Sequence, residues 1–190
     1  MLITDIADFC LQYDEPLGLL RLEWVSGPAT HSMQASAAKL LHVAWELRVR
    51  HLLLDMNTVP DIPADEETWL GTHWMPGIVQ LPLERLVLVI DSFRVHNQLA
   101  IDALHDLVQP AIRFDVQYFS EPEAGLHWVT DESPRLPALL AEWNARPHRL
   151  YAPGAVPGPA PAPRPSLLAW PRPGNMATAL ARTDTPDLAL

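Results

Sequence analysis

Two apolar runs in this chain end in aspartate, and the residues just beyond them have types that can do chemistry. The first reads LLLDMNTVPD over 52–61, placing Asp55, Asn57, Thr58 and Asp61 in succession. The second, LVLVI over 86–90, is followed directly by Asp91. In an α/β protein the C-terminal ends of parallel strands form the rim where ligands bind. Asp55 and Asp91 on one rim could hold a divalent cation or raise one another's pKa. Alternatively, Asp55 accepts nearby backbone N–H groups and orders its own loop, a role that needs no further partner. These options nominate Asp55, Asn57, Thr58 and Asp91 as ligand-binding residues. A catalytic role for Asp55 would need a second group, and Asp61, Asp91 and His96 are the available ones.

Other chemistry is sparser. His105 follows Asp102 by three residues on a predicted helix, whereas His96 falls on the opposite side of it, and no HExxH-like spacing occurs. These side chains read as a solvated helix face. His73 beside Trp74 and His127 beside Trp128 read as half-buried packing residues. Nucleotide-binding glycine loops and serine nucleophile motifs are absent, and Cys10 is a lone small side chain in a predicted strand. No catalytic residue, metal site or cofactor is assigned.

Trp69 and Trp74 lie five apart on a short predicted helix, about 140° round its axis, so one buried face cannot take both. Trp69 reads as core. Trp74, beside Met75 and Pro76, suits a contact surface, since Trp and Met are enriched where proteins bind. Trp69, Trp74 and Met75 are therefore the candidate partner-binding residues. PGPAPAPRPSLLAWPRP near the C-terminal end has P-x-x-P spacing, and its LLAW could dock on a protein.

A formal charge of −10 and a pI near 5.1 argue against nucleic acid and anionic membrane surfaces as partners. Lys39 is the only lysine. No run approaches the roughly 18 apolar residues of a membrane span. The N-terminal MLITDIADFC lacks the positive charge of a signal peptide, and one cysteine excludes an intrachain disulfide. The expectation is a cytoplasmic protein.

The elements that position these residues follow from periodicity. Phe9 to Tyr13 and Leu17 to Val25 flank a turn, and Leu20, Leu22 and Trp24 alternate with charged residues, which predicts an antiparallel hairpin. A helix is predicted from Thr30 to about Arg50. A buried strand follows over His51 to Met56, then a helix opening near Pro63, where Asp65, Glu66 and Glu67 meet the positive end of its dipole. After LVLVI, a helix from Val95 to Val108 should turn Leu99, Ala103, Leu104 and Leu107 inward and Asp102, His105 and Asp106 outward. Phe114 to Phe119 reads as a strand, and Ser120 to Glu123 as a capping box opening a helix that carries Trp128.

Alternating strands and helices after a hairpin predict an α/β fold: a small mixed sheet of four to five strands, the later ones parallel, with about four helices mainly on one side. The domain is read over 1–130, an additional helix over 131–146, and an extended proline-rich tail over 147–190.

The stretches LLRLEWVSGPAT, HLLLDMNTVP, DEETWLGTHWMP, RLVLVI and FDVQYFSEPEAGLHWV, over roughly residues 3 to 130, resemble the STAS family, which includes the bacterial anti-anti-sigma factors. Its wider superfamily includes lipid-transfer CRAL-TRIO domains. The resemblance rests on core and turn residues and implies a protein-binding module in bacterial regulation. In phosphorylation-switched members a serine follows an aspartate at the start of the helix after the third strand. Here that place falls at Ile62, Pro63 and Ala64, and the nearest hydroxyls are Thr58 and Thr68. The chain is closer to short STAS-like proteins that keep the Asp and the Trp of the following helix.

Three functions follow in order: a non-enzymatic regulatory module binding a protein, with a homodimer as one form; a domain of the same fold holding a nucleotide or lipid near Asp55, Asn57 and Asp91; and an enzyme using Asp55, Asp91 and His96.

Overall fold

Apolar residues at alternate positions build six strands: β1 (Leu2–Ile3), β2 (Phe9–Asp14), β3 (Leu19–Trp24), β4 (His51–Asp55), β5 (Arg85–Val89) and β6 (Asp115–Phe119). They come from a computed structural model that describes residues 1–3, 5–27 and 33–146. The chain divides into units Met1–Pro153 and Gly154–Leu190, and the tail read over 147–190 lies outside the described residues. All six strands form one sheet in the order β1-β2-β3-β4-β5-β6. The first three are antiparallel and the rest parallel, which gives the mixed α/β sheet the sequence predicts. The strand beyond the expected four to five is β1, whose two residues pair with Gln12 and Leu11. Two residues are too short a run to show a period.

The hairpin between β2 and β3 turns on Gly18, which has a φ of 60°. Its carbonyl accepts the backbone N–H groups of both Arg50 and His51, and a Cβ there would come 2.9 Å from Arg50 Nε. Glycine alone meets both conditions without strain.

Between the strands run α1 (Met33–Glu46), α2 (Ala64–Trp69), α3 (Met75–Ile78), α4 (Val95–Val108), α5 (Pro122–Thr130) and α6 (Leu136–Asn144). A π turn, Leu70–Trp74, joins α2 to α3, so these two form one continuous helix and the described residues hold five helices in all. α1 ends where Arg48 takes a left-handed φ of 51°. α5 opens without the predicted capping box: Glu121 holds the N-cap position with no side-chain bond, and Pro122 at the first turn pre-sets φ instead.

Successive strand residues point to opposite faces, and both faces are covered. Leu20, Leu22, Leu52, Leu54, Leu86 and Leu88 pack with Leu40, Ala44, Ile78 and Ile101 of the three crossover helices. Leu19, Leu53, Val87 and Val89 pack with Leu126 and Val129 of α5 and Leu136 and Leu139 of α6. Burial on both faces is why β4 and β5 read as unbroken apolar runs. Helix α6, read from sequence as an addition beyond residue 130, is thus the second half of a core layer.

The second face is apolar only at the centre. Toward β2 and β3 it carries Gln12, Asp14 and Arg21, all buried. Helix α6 satisfies most of this patch. Gln12 Nε2 donates to the Leu139 carbonyl at 2.9 Å, and Arg135 grips Asp14 through Nε at 3.0 Å and Nη2 at 2.7 Å. Trp143 lies between two guanidinium groups, Arg21 at 4.0 Å and Arg146 at 3.9 Å from its ring centre, and Arg146 also pairs with Glu23.

Candidate functional site

Of the rim residues nominated from sequence, Asp55, Asn57 and Asp91 are joined by hydrogen bonds. β4 and β5 are parallel neighbours, with Asp55 opposite Val89, so Asp55 and Asp91 follow adjacent strands. What joins them is Asn57. Its backbone N–H donates to Asp55 Oδ1 at 3.1 Å, and its Oδ1 accepts the backbone N–H of Asp91 at 2.6 Å. Asp91 Oδ1 in turn accepts the N–H of Phe93 at 3.1 Å. The Asp55 and Asp91 side chains each serve a local turn and the Asn57 side chain ties the two loops together, which is the loop-ordering role. Burial pushes the Asp55 carboxyl above its ordinary range; the Asn57 N–H opposes this, the neighbouring Glu23 adds to it, and Arg21 opposes it further.

Thr58 is exposed at the loop. Thr68 is exposed on α2, its hydroxyl donating to the Ala64 carbonyl at 2.8 Å. Asp61 is exposed as well, and His96 Nε2 meets the Ile62 carbonyl at 2.9 Å. Among the described residues no group of three or more His, Cys, Asp or Glu is placed to hold a metal ion.

The residue that fixes this region is Asn97, which is 0% exposed. Its Oδ1 accepts the N–H of Ile62 at 3.1 Å, while its Nδ2 donates to the carbonyls of Val59 and Pro60, both at 3.1 Å. A full set of amide bonds ties the 59–62 loop to α4. It also sets the rotation of α4, whose inward residues are Asn97, Ala100, Ile101, Leu104 and Val108. The expected inward set is corrected accordingly: Leu104 is buried, whereas Leu99 is 65% exposed and Leu107 61% exposed. His105, expected to face solvent, is half-buried. The signal available in the sequence was Asn97 itself, in register with Ile101 and Leu104 on one helix face.

With α4 in this rotation, the first face of the sheet is incompletely filled. A cavity of about 110 Å³ lies between the sheet and helices α1, α2–α3 and α4. It runs across the face from Phe9, Trp24 and Met33 to Phe114 and Val116, and among the described residues His105 is the one titratable side chain on its wall. Trp74 and Met75 line it too. Trp74 is half-buried, and its indole N–H donates to the Ala37 carbonyl at 2.9 Å, which holds the ring against α1. Trp69 is half-buried and stacked on His73 at 5.7 Å. None of Asp55, Asn57, Thr58 and Asp91 lines the cavity.

The π turn contributes part of this wall through Leu70 and Trp74. It packs close to α4: a Cβ on Gly71 would come 3.2 Å from Leu107 Cδ2. Such turns recur at functional sites because the extra residue re-aims side chains without ending the helix. Protein interiors are normally packed as densely as organic crystals, and apolar cavities in proteins can bind apolar molecules. A sequence hint existed in Met33, Met56 and Met75, since methionine fills irregular gaps.

No family model matches the chain, and no curated protein or solved structure matches it either.

Proposed function

We propose that the chain is a non-enzymatic, STAS-like binding domain that holds a small apolar molecule between its sheet and helices α1, α2–α3 and α4. The cavity is the observation that carries this reading. Among the described residues its wall is apolar apart from His105, so the free energy of binding comes from removing ligand surface from water. This is the ligand-binding form of the fold, with its site moved from the rim at Asp55 to the helical face. The test is titration of the full chain with hexane, followed by heteronuclear NMR or calorimetry, beside an Ala37→Leu variant. Ala37 is buried on the cavity wall, so the larger side chain fills space the ligand would use. Hexane should bind the parent and lose most of its affinity for the variant. Equal binding to both would sink the reading.

A second reading is a regulatory module that binds another protein. It is supported by an exposed apolar ridge on and beside α4: Phe93 at 72%, Val95 at 57%, Leu99 at 65% and Leu107 at 61%. Replacing Leu99 and Leu107 with Glu should abolish capture of such a partner and leave hexane binding intact. Among the described residues no helix is long and apolar enough to cross a membrane.

A further inference from the structure

β6 ends the strand order, so among the described residues its one neighbour is β5. The Asp115 N–H donates to the Glu84 carbonyl and the Phe119 carbonyl accepts the Ile90 N–H, so Asp115, Gln117 and Phe119 turn their backbone groups toward β5. These groups alternate sides along a strand, which leaves the N–H and C=O of Val116 and Tyr118 directed outward. Among the described residues no backbone group bonds to them from that side. Such a row is a template for another strand, and proteins blunt it with proline, lysine, a bulge or a very short edge. β6 has five residues in unbroken register with β5 and carries none of these devices.

The sequence along this edge is complementary to itself. Laid antiparallel against a second copy with Gln117 opposite Gln117, the whole strand pairs. Val116 of each copy then faces Tyr118 of the other, and their outward groups exchange both backbone bonds. Two places past each end, the same register sets Arg113 opposite Glu121. Both are exposed: Arg113 bonds through Nη1 to the Pro110 and Ile112 carbonyls, which leaves Nε and Nη2, and Glu121 has an extended backbone and makes no side-chain capping bond. Opposite charges across an antiparallel pair attract and like charges repel. Centring the pair one residue later, on Tyr118, would set Asp115 against Glu121, and one residue earlier would set Arg113 against Phe119.

We infer that β6 is the interface of a homodimer, in which an antiparallel β6 pair centred on Gln117 joins two sheets into one. The two-fold axis runs perpendicular to the sheet, so both cavity faces lie on the same side. Asp102 and Asp106 act on Tyr118 from α4, and the dimer brings these carboxylates of the two copies toward each other. That repulsion opposes the backbone bonds and makes the pairing reversible.

Sedimentation of the full chain across a range of concentrations should show a monomer–dimer equilibrium. Arg113→Glu should raise the dissociation constant at least about fivefold, and adding Glu121→Arg should return it to within about twofold of the parent. On mild oxidation Gln117→Cys should form an intermolecular disulfide, since residues opposed in this way lie about 4.5 Å apart at Cα. Asp115→Cys, about 14 Å from its counterpart, should not, nor should the parent, whose sole cysteine is Cys10. A parent that stays monomeric at every concentration overturns the proposal. So does a dimer indifferent to Arg113→Glu, a loss that Glu121→Arg fails to restore, or a dimer removed by Leu99→Glu with Leu107→Glu. Crosslinking through Asp115→Cys as fast as through Gln117→Cys overturns it too.

Discussion

Asp55 illustrates how a residue with chemical potential is committed to structure. Its Oδ1 takes the Asn57 N–H, and its charge is held in a place where burial costs more than Arg21 and the amide return. The folded-state pKa is raised, so the folded protein binds a proton more readily than the unfolded chain, and stability falls as pH rises from the ordinary carboxylate value through the raised one. An Asp55→Asn variant keeps the acceptor and removes the charge. It should melt at or above the parent's temperature at pH 7, and the gap should close at about pH 3.5, below the ordinary Asp value. Thermal denaturation at the two pH values checks this. Asp14 has the opposite sign. Burial alone would raise its pKa, but the Arg135 guanidinium and the Leu17 N–H outweigh that and lower it, so its contribution is present above the ordinary value and lost as acid protonates it. Asn97 carries more than either. Truncation to Ala strands the Ile62 N–H and the Pro60 carbonyl, leaves the Val59 carbonyl to Arg94 alone, and should cost about 2–4 kcal/mol in urea denaturation.

At the scale of elements, legibility in the sequence follows burial symmetry. Leu52 to Leu54 and LVLVI could be placed as central strands because both faces are covered and no polar residue interrupts them. The hairpin could be placed because Arg21 and Glu23 alternate with leucines, although Arg21 turned out to be only 4% exposed. Its burial under Trp143 was invisible, since it depends on an element more than a hundred residues away. That burial pulls the guanidinium pKa down to about 10, with Asp55 the leading opposing influence. The rotation of α4 was misread because the helix carries two apolar stripes, and the choice between them is made by the bonds of Asn97, which no periodicity records. The cavity depends on that rotation and was equally hidden. Helix α5 offers a direct test of close packing. A Cβ on Gly125 would meet Val87 Cγ1 at 2.7 Å, within the sheet's most buried row. Gly125→Ala should lift α5 from the sheet and cost about 1–3 kcal/mol, measured by urea denaturation.

At the scale of the whole molecule, the two faces of the sheet have different fillings. One is closed by leucine, valine and the polar bonds of α6; the other is left partly open under longer helices. The apolar ridge outside α4 adds a third surface. If that ridge pairs two copies, as a homodimer would, sedimentation of the parent should depend on concentration, and Leu99→Glu with Leu107→Glu should remove the dependence. The β1 edge of the sheet is less suited to pairing, since it offers only two residues. The strict neighbour order of the strands has a consequence for synthesis. Each strand that leaves the ribosome finds its partner already made, so the sheet can grow from β1 to β6 without waiting for a distant segment. The cavity face is roofed as it forms, because its helices lie between the strands. The face bearing Arg21, Leu53 and Val87 stays bare until α5 and α6 are translated, which makes the last twenty-five described residues, 122–146, the step that commits a nascent chain to its native state.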